Sequence, residues 1–251
     1  KNTTVIYLES PGTYTFEIID IKKVVQIAKK HSLTTIIDNT WGTAIYFNAL
    51  DFGVNIVCEA ITKYIGGHSD VMLGVTVANG KHLKDVRRWR INSGQSVGPD
   101  DVFLALRGLR TLPLRLERSF FNSKKIASYL SKQKEIKNVF HPALKNHPDH
   151  KLWKRDFKGS SGIFAIEFEK KVSENAAEYF ADQCKLFGKG ASWGGFESLM
   201  TMSDLKTARN LSSSYLPTGE YLRIYVGIED ISDLIQDIEN SFLKMRKKFK
   251  L

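Results

Sequence analysis

The sequence predicts an α/β protein that begins with a mostly parallel sheet and continues into a smaller α+β region. Three short apolar runs at residues 4–8, 34–37 and 55–59 each end in a polar loop, and a fourth strand-like run covers residues 71–78. Residues 21–30, between the first two runs, carry apolar side chains at helical spacing. This alternation of strands with helices is typical of a parallel sheet with right-handed crossovers.

The helix between the first two strands has a start signal and an apolar face. Asp20 stands at the N-cap position, and Ile21, Val24, Val25 and Ala28 follow at helical spacing. An aspartate accepts hydrogen bonds from the first free amides of a helix. We therefore expect this helix to pack against the sheet.

A long helical pattern at residues 100–130 is predicted to join two domains, with a kink at Pro113. We place the boundary at residue 112, which gives a first domain of residues 1–112 and a second of 113–251. The predicted elements of the second domain are strands at 136–140, 163–168, 197–202 and 221–228, a helix at 174–187 and a closing helix from 231 to 245.

Composition describes an ordinary globular chain without a nucleic-acid or membrane signature. The 251 residues are 42% hydrophobic and 25% charged, with a formal net charge of +10. The basic residues are dense only at residues 244–250, where a solvated helix end explains them. No apolar run approaches the roughly 20 residues of a membrane helix. We expect neither nucleic acid nor membrane as partner.

The cysteines and histidines are predicted to be structural. Cys58 and Cys184 lie within apolar patterns, so both are expected to be core thiols of a reducing, cytoplasmic compartment. His141, His147 and His150 fall in a proline-containing stretch without regular spacing. We expect these histidines to lie in a surface loop and to bind no metal.

Polar groups follow three of the predicted strands, where ligands bind in parallel sheets. They are Glu9 with Ser10, Asp38, and Lys63, which precedes a pair of glycines. A lone lysine after a strand is usually structural or simply exposed. A lysine with an aspartate at the end of the preceding strand favours a functional site.

The two groups suit an aldehyde cofactor, pyridoxal 5′-phosphate (PLP). Such a cofactor needs an amine to hold the aldehyde and move protons, and a carboxylate to keep the pyridine nitrogen protonated. We expect Lys63 to form a Schiff base with PLP and Asp38 to contact the ring nitrogen. The Thr62 hydroxyl is a candidate for the phosphate, although an ordinary loop role explains it equally well.

Arg223 is a charged residue within the apolar strand at residues 221–228. It either pairs with an internal carboxylate or is held for a ligand. Composition alone favours the internal pair.

Five segments together resemble the Cys/Met-metabolism family of PLP-dependent enzymes. The resemblance runs essentially from end to end, and it implies a fold-type I, PLP-transferase-like architecture with transsulfuration chemistry. The segments are Glu-Ser-Pro at 9–11, Asp-Asn-Thr-Trp at 38–41, residues 60–70 around Lys63, Trp-Gly-Gly-Phe-Glu-Ser-Leu at 193–199, and residues 222–230 around Arg223.

The resemblance implies roles for the remaining site residues. Arg223 would bind the α-carboxylate of an amino-acid substrate, with Ser192 nearby and Trp193 touching the substrate. Lys63 would also be the general base. Ala60 stands where many members have a phosphate-binding serine.

Within the family, the resemblance is to the bacterial β-lyase branch, which implies a lyase in methionine biosynthesis. Such an enzyme cleaves cystathionine to homocysteine, pyruvate and ammonia. A γ-lyase, a γ-synthase or a cysteine desulfhydrase is the alternative. The branch signals are Ser-Trp-Gly-Gly at 192–195, His-Pro-Ala-Leu at 141–144 and Phe-Lys-Gly-Ser-Ser-Gly at 157–162.

The family also implies a homotetramer built as a dimer of dimers, and a region preceding the first strand that supplies a phosphate-binding turn and a ring-stacking tyrosine. The chain lacks a starting methionine, so we expect it to enter the large domain partway. A second chain that supplies the missing region, a truncated gene product and a non-catalytic remnant are the three explanations.

Overall fold

The computed structural model describes residues 2–205 and 216–251. The strands are β1 (Val5–Glu9), β2 (Thr34–Asp38), β3 (Ile56–Ala60), β4 (Gly74–Ala78), β5 (Ile136–Phe140), β6 (Ile163–Phe168), β7 (Phe187–Lys189), β8 (Ser198–Met202) and β9 (Tyr221–Tyr225). The helices are α1 (Ile21–Lys30), α2 (Thr43–Tyr46), α3 (Lys81–Asn92), α4 (Pro99–Leu109), α5 (Leu112–Leu130), α6 (His150–Asp156), α7 (Glu174–Gln183) and α8 (Ile231–Phe249), with a π-helical turn at Ile61–Ile65.

The first sheet has the strand order β1-β2-β3-β4. Strands β1, β2 and β3 are parallel, as predicted, and α1 begins at Ile21 after an N-cap bond from the Lys23 amide to Asp20. The prediction that the run at residues 71–78 continues a parallel sheet is wrong, because β4 is antiparallel to β3. The connection between β3 and β4 at residues 61–73 holds the π-helical turn around Lys63 and no crossover helix, so β4 returns beside β3 in the opposite direction.

One face of the first sheet is covered and the other is open. Leu8, Ile37 and Val57 point to the covered face and are buried in the core that α1 joins. On the opposite face Tyr7 is 62% exposed, and Asp38 is partly exposed. The carboxyl ends of β1 to β3 therefore open onto this face and the edge beside it.

The second sheet has the order β5-β6-β9-β8-β7 and mixes parallel and antiparallel pairs. Strand β7 was not predicted: residues 174–187 were expected to be one helix, but α7 ends at Gln183 and Phe187 begins the strand. Strand β9 ends at Tyr225, earlier than predicted. The helices α5, α7 and α8 pack on one face of this sheet.

Strand β6 is buried at every residue, although its sequence alternates apolar and polar side chains at the end. The reason is that both faces of the second sheet are covered. Phe164 and Ile166 belong to the core with α7 and α8, whereas Ile163 and Ala165 belong to the core of the first sheet. Strand β9 is arranged in the same way: Leu222 and Ile224 belong to the core with α7 and α8, and Tyr221 and Tyr225 belong to the core of the first sheet.

The single long helix predicted at residues 100–130 is two helices. Helix α4 ends at Leu109, and α5 begins at Leu112 with Pro113 in its first turn. Proline is well placed there because the first helical amides have no partner within the helix. The boundary predicted at residue 112 coincides with the start of α5, and the division into two domains stays a prediction.

Smaller differences concern the cysteines and the carboxyl-terminal helix. Cys184 is buried as predicted, but Cys58 is only partly buried, because it lies on the open face of the first sheet. Both are free thiols. Helix α8 extends to Phe249, and its last turn carries basic residues near the negative end of the helix dipole. Within the described ranges, no helix is long and apolar enough to cross a bilayer.

Candidate active site

Lys63 lies in the π-helical turn Ile61–Ile65, which follows directly on β3 and is called the lysine turn below. Its backbone departs from helical geometry, with φ −89° and ψ −116°. Gly67, after the turn, has φ +69°, a conformation that favours glycine. An irregular π turn of this kind is common at functional sites.

The Lys63 amine is held by residues of the segment between β7 and β8. Its Nζ donates to Ser192 Oγ at 2.9 Å and lies 5.6 Å from the centre of the Trp193 ring. Gly194 packs against the Lys63 backbone, since a Cβ there would lie 2.8 Å from Lys63 Cα. Lys63, Ser192 and Trp193 line a cavity of about 520 Å³, together with Thr62, Asp70 and Glu197.

The surroundings favour the neutral amine of Lys63. Burial lowers its pKa, and the positive charge of Arg223 lowers it further. A lysine must lose its proton before it can attack an aldehyde or act as a general base. The geometry is therefore suited to both of the roles predicted for Lys63.

Asp38 lies at the carboxyl end of β2, in register with Glu9 on β1 and Cys58 on β3. One carboxylate oxygen accepts a hydrogen bond from the Thr40 amide at 2.9 Å. The Thr40 hydroxyl in turn accepts from the Ala60 amide at 2.8 Å. This chain of bonds connects the Asp38 loop to the start of the lysine turn, as the predicted meeting at the sheet edge requires.

The Thr62 hydroxyl is engaged with the backbone of Leu73. It accepts from the Leu73 amide at 2.9 Å and donates to the Leu73 carbonyl at 3.2 Å. This geometry favours the loop role that sequence alone allowed. The phosphate role of Thr62 stays a prediction, and it requires the hydroxyl to turn from Leu73.

Arg223 is buried on β9, and its side chain is held between the two sheets. The guanidinium donates to the Ala191 carbonyl and lies 4.9 Å from the centre of the Tyr14 ring. Among residues 2–205 and 216–251, no carboxylate forms an ion pair with it. The internal pair that composition favoured is thus absent from the described residues, which favours a ligand role. Burial lowers the pKa of Arg223, while Tyr14 and Tyr221 oppose that effect.

Sequence patterns did not single out Tyr14 or Glu59. Tyr14 belongs to the loop after β1 and stacks on a residue 209 positions later, so no local signal reveals it. Glu59 had a usable signal, because it is an acid in the apolar strand β3, and it is in fact buried. Trp41 packs against Phe157 in the core, with ring centres 5.6 Å apart.

The prediction that the histidines at residues 141–150 lie in a surface loop is wrong. His141 and His147 are buried, and His150 begins α6. His141 Nδ1 accepts from the Ala143 amide at 3.2 Å, and burial lowers its pKa to about 3. No group of three or more potential metal-ligating side chains was found in the part of the chain that the structure describes.

Comparison with known proteins supplies the family. The model of the family described as Cys/Met metabolism PLP-dependent enzyme matches residues 1–243, nearly the whole chain. The chain belongs to this family. The resemblance drawn from the Lys63 and Arg223 segments is thereby confirmed, and so is the cofactor, since members of the Cys/Met-metabolism family depend on PLP.

Curated relatives in the Cys/Met-metabolism family include more than one activity. A putative cystathionine beta-lyase of Rhizobium johnstonii is 43% identical over 96% of this chain and 61% of its own length. Cystathionine beta-lyase MetC of Escherichia coli is 36% identical over 97% of this chain and 63% of its own. An L-alanine/L-glutamate racemase of Wolbachia pipientis wMel is 40% identical over 98% and 61%. The chain thus spans about three fifths of the length of these relatives.

A solved structure confirms the fold class at the level of the family. The crystal structure of cystathionine gamma synthase from Xanthomonas oryzae pv. oryzae, in complex with aminoacrylate and cysteine, matches with a TM-score of 0.88 at 33% identity. The match covers 97% of this chain and 64% of the synthase. The predicted fold-type I architecture is therefore confirmed at the level of the family.

The residues present fit the cofactor of the Cys/Met-metabolism family. A partly buried lysine with a lowered pKa opens into a cavity large enough for a small organic molecule, and a carboxylate lies at the adjacent strand end. A buried arginine without a carboxylate partner among the described residues faces the same region. We keep Lys63 as the proposed anchor and Asp38 as the proposed partner of the ring nitrogen.

Glu59 leads to a prediction about stability and pH. Burial raises the pKa of Glu59 to about 7. The hydrogen bond from Asn39 lowers this pKa, whereas the negative charge of Asp38 raises it. In the unfolded chain the Glu59 carboxyl ionises near pH 4.5. Glu59 therefore costs no stability below that pH, and the free energy of unfolding falls as the pH rises from there to about 7. We expect Glu59→Gln to remove this loss and to raise the free energy of unfolding at pH 8 by up to about 3 kcal/mol.

Urea denaturation at pH 5 and pH 8 tests the Glu59 prediction. Glu178→Gln, at an exposed position of α7, is the matched control and should keep the pH dependence of the parent. An equal loss of stability between pH 5 and pH 8 in the Glu59→Gln variant and the parent would contradict the prediction.

Proposed function

We propose that the chain forms the catalytic part of a PLP-dependent carbon–sulfur β-lyase that cleaves cystathionine, with water, to homocysteine, pyruvate and ammonia. The observation that carries the proposal is the Lys63 amine, held by Ser192 under Trp193 and close enough to Arg223 for its charge to act on the pKa. An amine and a group suited to binding a carboxylate are thereby close to each other. Relatives named cystathionine beta-lyase support the choice of substrate.

Arg223 orients the substrate in this proposal. A guanidinium binds a carboxylate with two parallel hydrogen bonds, and the Tyr14 ring fixes the plane of that fork. The bound α-carboxylate would direct the substrate Cα toward Lys63. Trp193 contributes an apolar wall against which the thioether chain can pack.

Lys63 moves the proton. Its neutral Nζ accepts the proton from the substrate Cα, and Ser192 Oγ holds Nζ in position during that transfer. The bound cofactor supplies electron withdrawal from Cα, and Asp38 maintains this capacity by holding the ring nitrogen protonated. The bond between Cβ and sulfur then breaks, and the thiol leaves with a proton. The remaining three-carbon product hydrolyses to pyruvate and ammonia.

Product analysis tests the proposal. The protein, purified together with any polypeptide that accompanies it and supplied with PLP and cystathionine, is expected to release pyruvate and homocysteine in equal amounts. Release of 2-oxobutyrate and cysteine would instead indicate the γ-lyase alternative, and pyruvate with sulfide from cysteine a desulfhydrase. A protein that binds PLP but forms none of these products would contradict the β-lyase and favour the non-catalytic alternative.

Racemisation is a second candidate because a racemase is among the relatives that match nearly all of the chain. Both reactions begin with removal of the Cα proton, so Lys63 would serve either. They differ in whether a leaving group departs from Cβ. Formation of D-alanine from L-alanine, without pyruvate from cystathionine, would favour the racemase.

We propose that a second polypeptide supplies the part of the family's structure that this chain does not span. Strand β1 is an edge strand of the first sheet, and its Tyr7 and Val5 are 62% and 45% exposed on the open face. The backbone groups at the outer edge of β1 are suited to pairing with another strand, and a neighbouring segment could cover these exposed side chains. Co-purification of a second polypeptide would support the proposal, and a species containing this chain alone with PLP covalently bound would contradict it.

We propose further that copies of the protein associate as a tetramer, a dimer of dimers, in the cytoplasm. Helices α3 and α4 and the start of α5 expose large apolar side chains that a second copy would cover; they are Trp89, Ile91, Phe103, Leu106 and Leu114. The free thiols of Cys58 and Cys184 suit a reducing compartment. Native mass and sedimentation test the assembly, and a species containing one copy of this chain would contradict it.

A further inference from the structure

We propose that Arg115 is a positioning residue that holds the lysine turn, and with it the Lys63 amine, against the junction of α4 and α5. The inference rests on the proposed role of Lys63, but it does not depend on which bond the enzyme cleaves. Arg115 lies on α5 and is buried. No motif quoted for the family resemblance includes it.

The guanidinium of Arg115 binds the ends of two helical segments at once. Nη1 donates to the Tyr64 carbonyl at 2.7 Å, and Nη2 donates to the Ile65 carbonyl at 3.3 Å, both at the end of the lysine turn. Nη2 also donates to the Gly108 carbonyl in the last turn of α4 at 2.7 Å. Nε donates to the Thr111 hydroxyl at 3.0 Å.

These four acceptors explain why an arginine is needed. The last carbonyls of a helix lack partners within it and carry the negative end of its dipole, so they attract a cation. A planar guanidinium can direct several N–H groups to separate carbonyls, whereas a lysine ammonium cannot match that geometry. Burial lowers the pKa of Arg115, so the carbonyls must compensate for a desolvated charge.

Two glycines allow the close approach. A Cβ on Gly67 would lie 1.7 Å from Arg115 Nη1, and a Cβ on Gly108 would lie 2.3 Å from the Gly66 carbonyl oxygen. The end of the lysine turn, the end of α4 and the start of α5 are therefore in direct contact around one side chain. Loss of the Arg115 side chain would release the carbonyl of Tyr64, the residue that follows Lys63.

The effect reaches Lys63 through the chain. Tyr64 follows Lys63 directly, and its hydroxyl also accepts a hydrogen bond from the Gly162 amide at 2.7 Å. With the Tyr64 carbonyl released, the Lys63 backbone loses the support that keeps its amine under Trp193. The amine then becomes more exposed, and its pKa moves up toward that of an ordinary lysine.

Chemical modification of Lys63 without cofactor or substrate tests the inference. The pH dependence of reductive methylation by formaldehyde is followed on the full chain, and modification at Lys63 is quantified by peptide mass spectrometry. We expect Arg115→Lys to raise the midpoint for Lys63 by about one pH unit, a tenfold change in the ratio of neutral to charged amine. Arg118→Gln is the control, because this half-exposed arginine of the same helix contacts Glu229 and Asp230 and not the lysine turn, and it should leave the midpoint unchanged.

Two outcomes would overturn the role. A Lys63 midpoint in Arg115→Lys equal to that of the parent, even with reduced thermal stability, would make Arg115 merely structural. If Arg115→Lys does not fold, Thr111→Val removes the Nε acceptor and the hydroxyl's own bond to the Gly108 carbonyl, but leaves the bonds from Arg115 to the lysine turn. It should raise the midpoint by a smaller amount, and no shift there would also overturn the proposal. Because no reaction is measured, a protein without lyase activity can still give the expected shift.

Discussion

Lys63→Ala is expected to remove at least roughly three orders of magnitude of β-elimination activity and all covalently bound PLP. A general base alone contributes about 10²- to 10⁴-fold, and Lys63 is also the proposed anchor. The change removes an amine that Ser192 and Trp193 hold in a defined place. Pyruvate release and the visible spectrum of the protein with PLP are the measurements.

A matched control separates this effect from general damage. Lys23→Ala removes a mainly exposed lysine of α1 and should leave both activity and bound cofactor unchanged. Added ethylamine is expected to restore part of the activity of the Lys63→Ala variant, because it can enter the cavity left by the side chain. Parent-like pyruvate release by Lys63→Ala would rule out the assigned role.

Arg223→Lys is expected to raise KM for cystathionine by about 100-fold and to change kcat far less. Charge-assisted hydrogen bonds contribute about 1.5–3 kcal/mol each, and loss of a bidentate pair with a carboxylate weakens substrate and transition-state binding alike. Arg223 is buried against Tyr14, so an ammonium at this position cannot regain the fork.

A substrate analogue provides the control for Arg223. The analogue that lacks the α-carboxylate should react equally slowly with the parent and with Arg223→Lys, because it has no group for Arg223 to bind. If KM for cystathionine stays at the parental value in Arg223→Lys, the carboxylate contact is absent and Arg223 is structural.

The parts of the site that sequence predicted are those that depend on strand ends. Lys63 and Asp38 each follow an apolar run, and parallel strands bring their carboxyl ends to one edge, so their proximity follows from topology. The sequence also indicates Arg223, because a charged residue within an apolar strand requires either a charged partner or a ligand. The choice between an internal pair and a ligand depended on which groups surround it, and that required the structure.

The parts that sequence missed depend on contacts between distant segments. Strand β4 is antiparallel because the π-helical turn around Lys63 stands where a crossover helix would be needed. The full burial of β6 follows from a sheet covered on both faces. The turn-forming neighbours of His141 predict a surface loop. In the structure His141 is covered by α5 and β6, because its ring is hydrogen-bonded to Ser123 and packs against Phe164. Tyr14 and Arg115 act through contacts that no local pattern carries.

Borohydride reduction of the protein with PLP tests the central claim most directly, since it fixes the cofactor to the amine that holds it. Proteolysis and mass spectrometry then locate the phosphopyridoxyl group. We predict that it lies on the peptide containing Lys63 and is absent from the Lys63→Ala variant. A group attached to another lysine, or no attachment in a protein that still performs β-elimination, would contradict the assignment of Lys63 as the cofactor-binding residue.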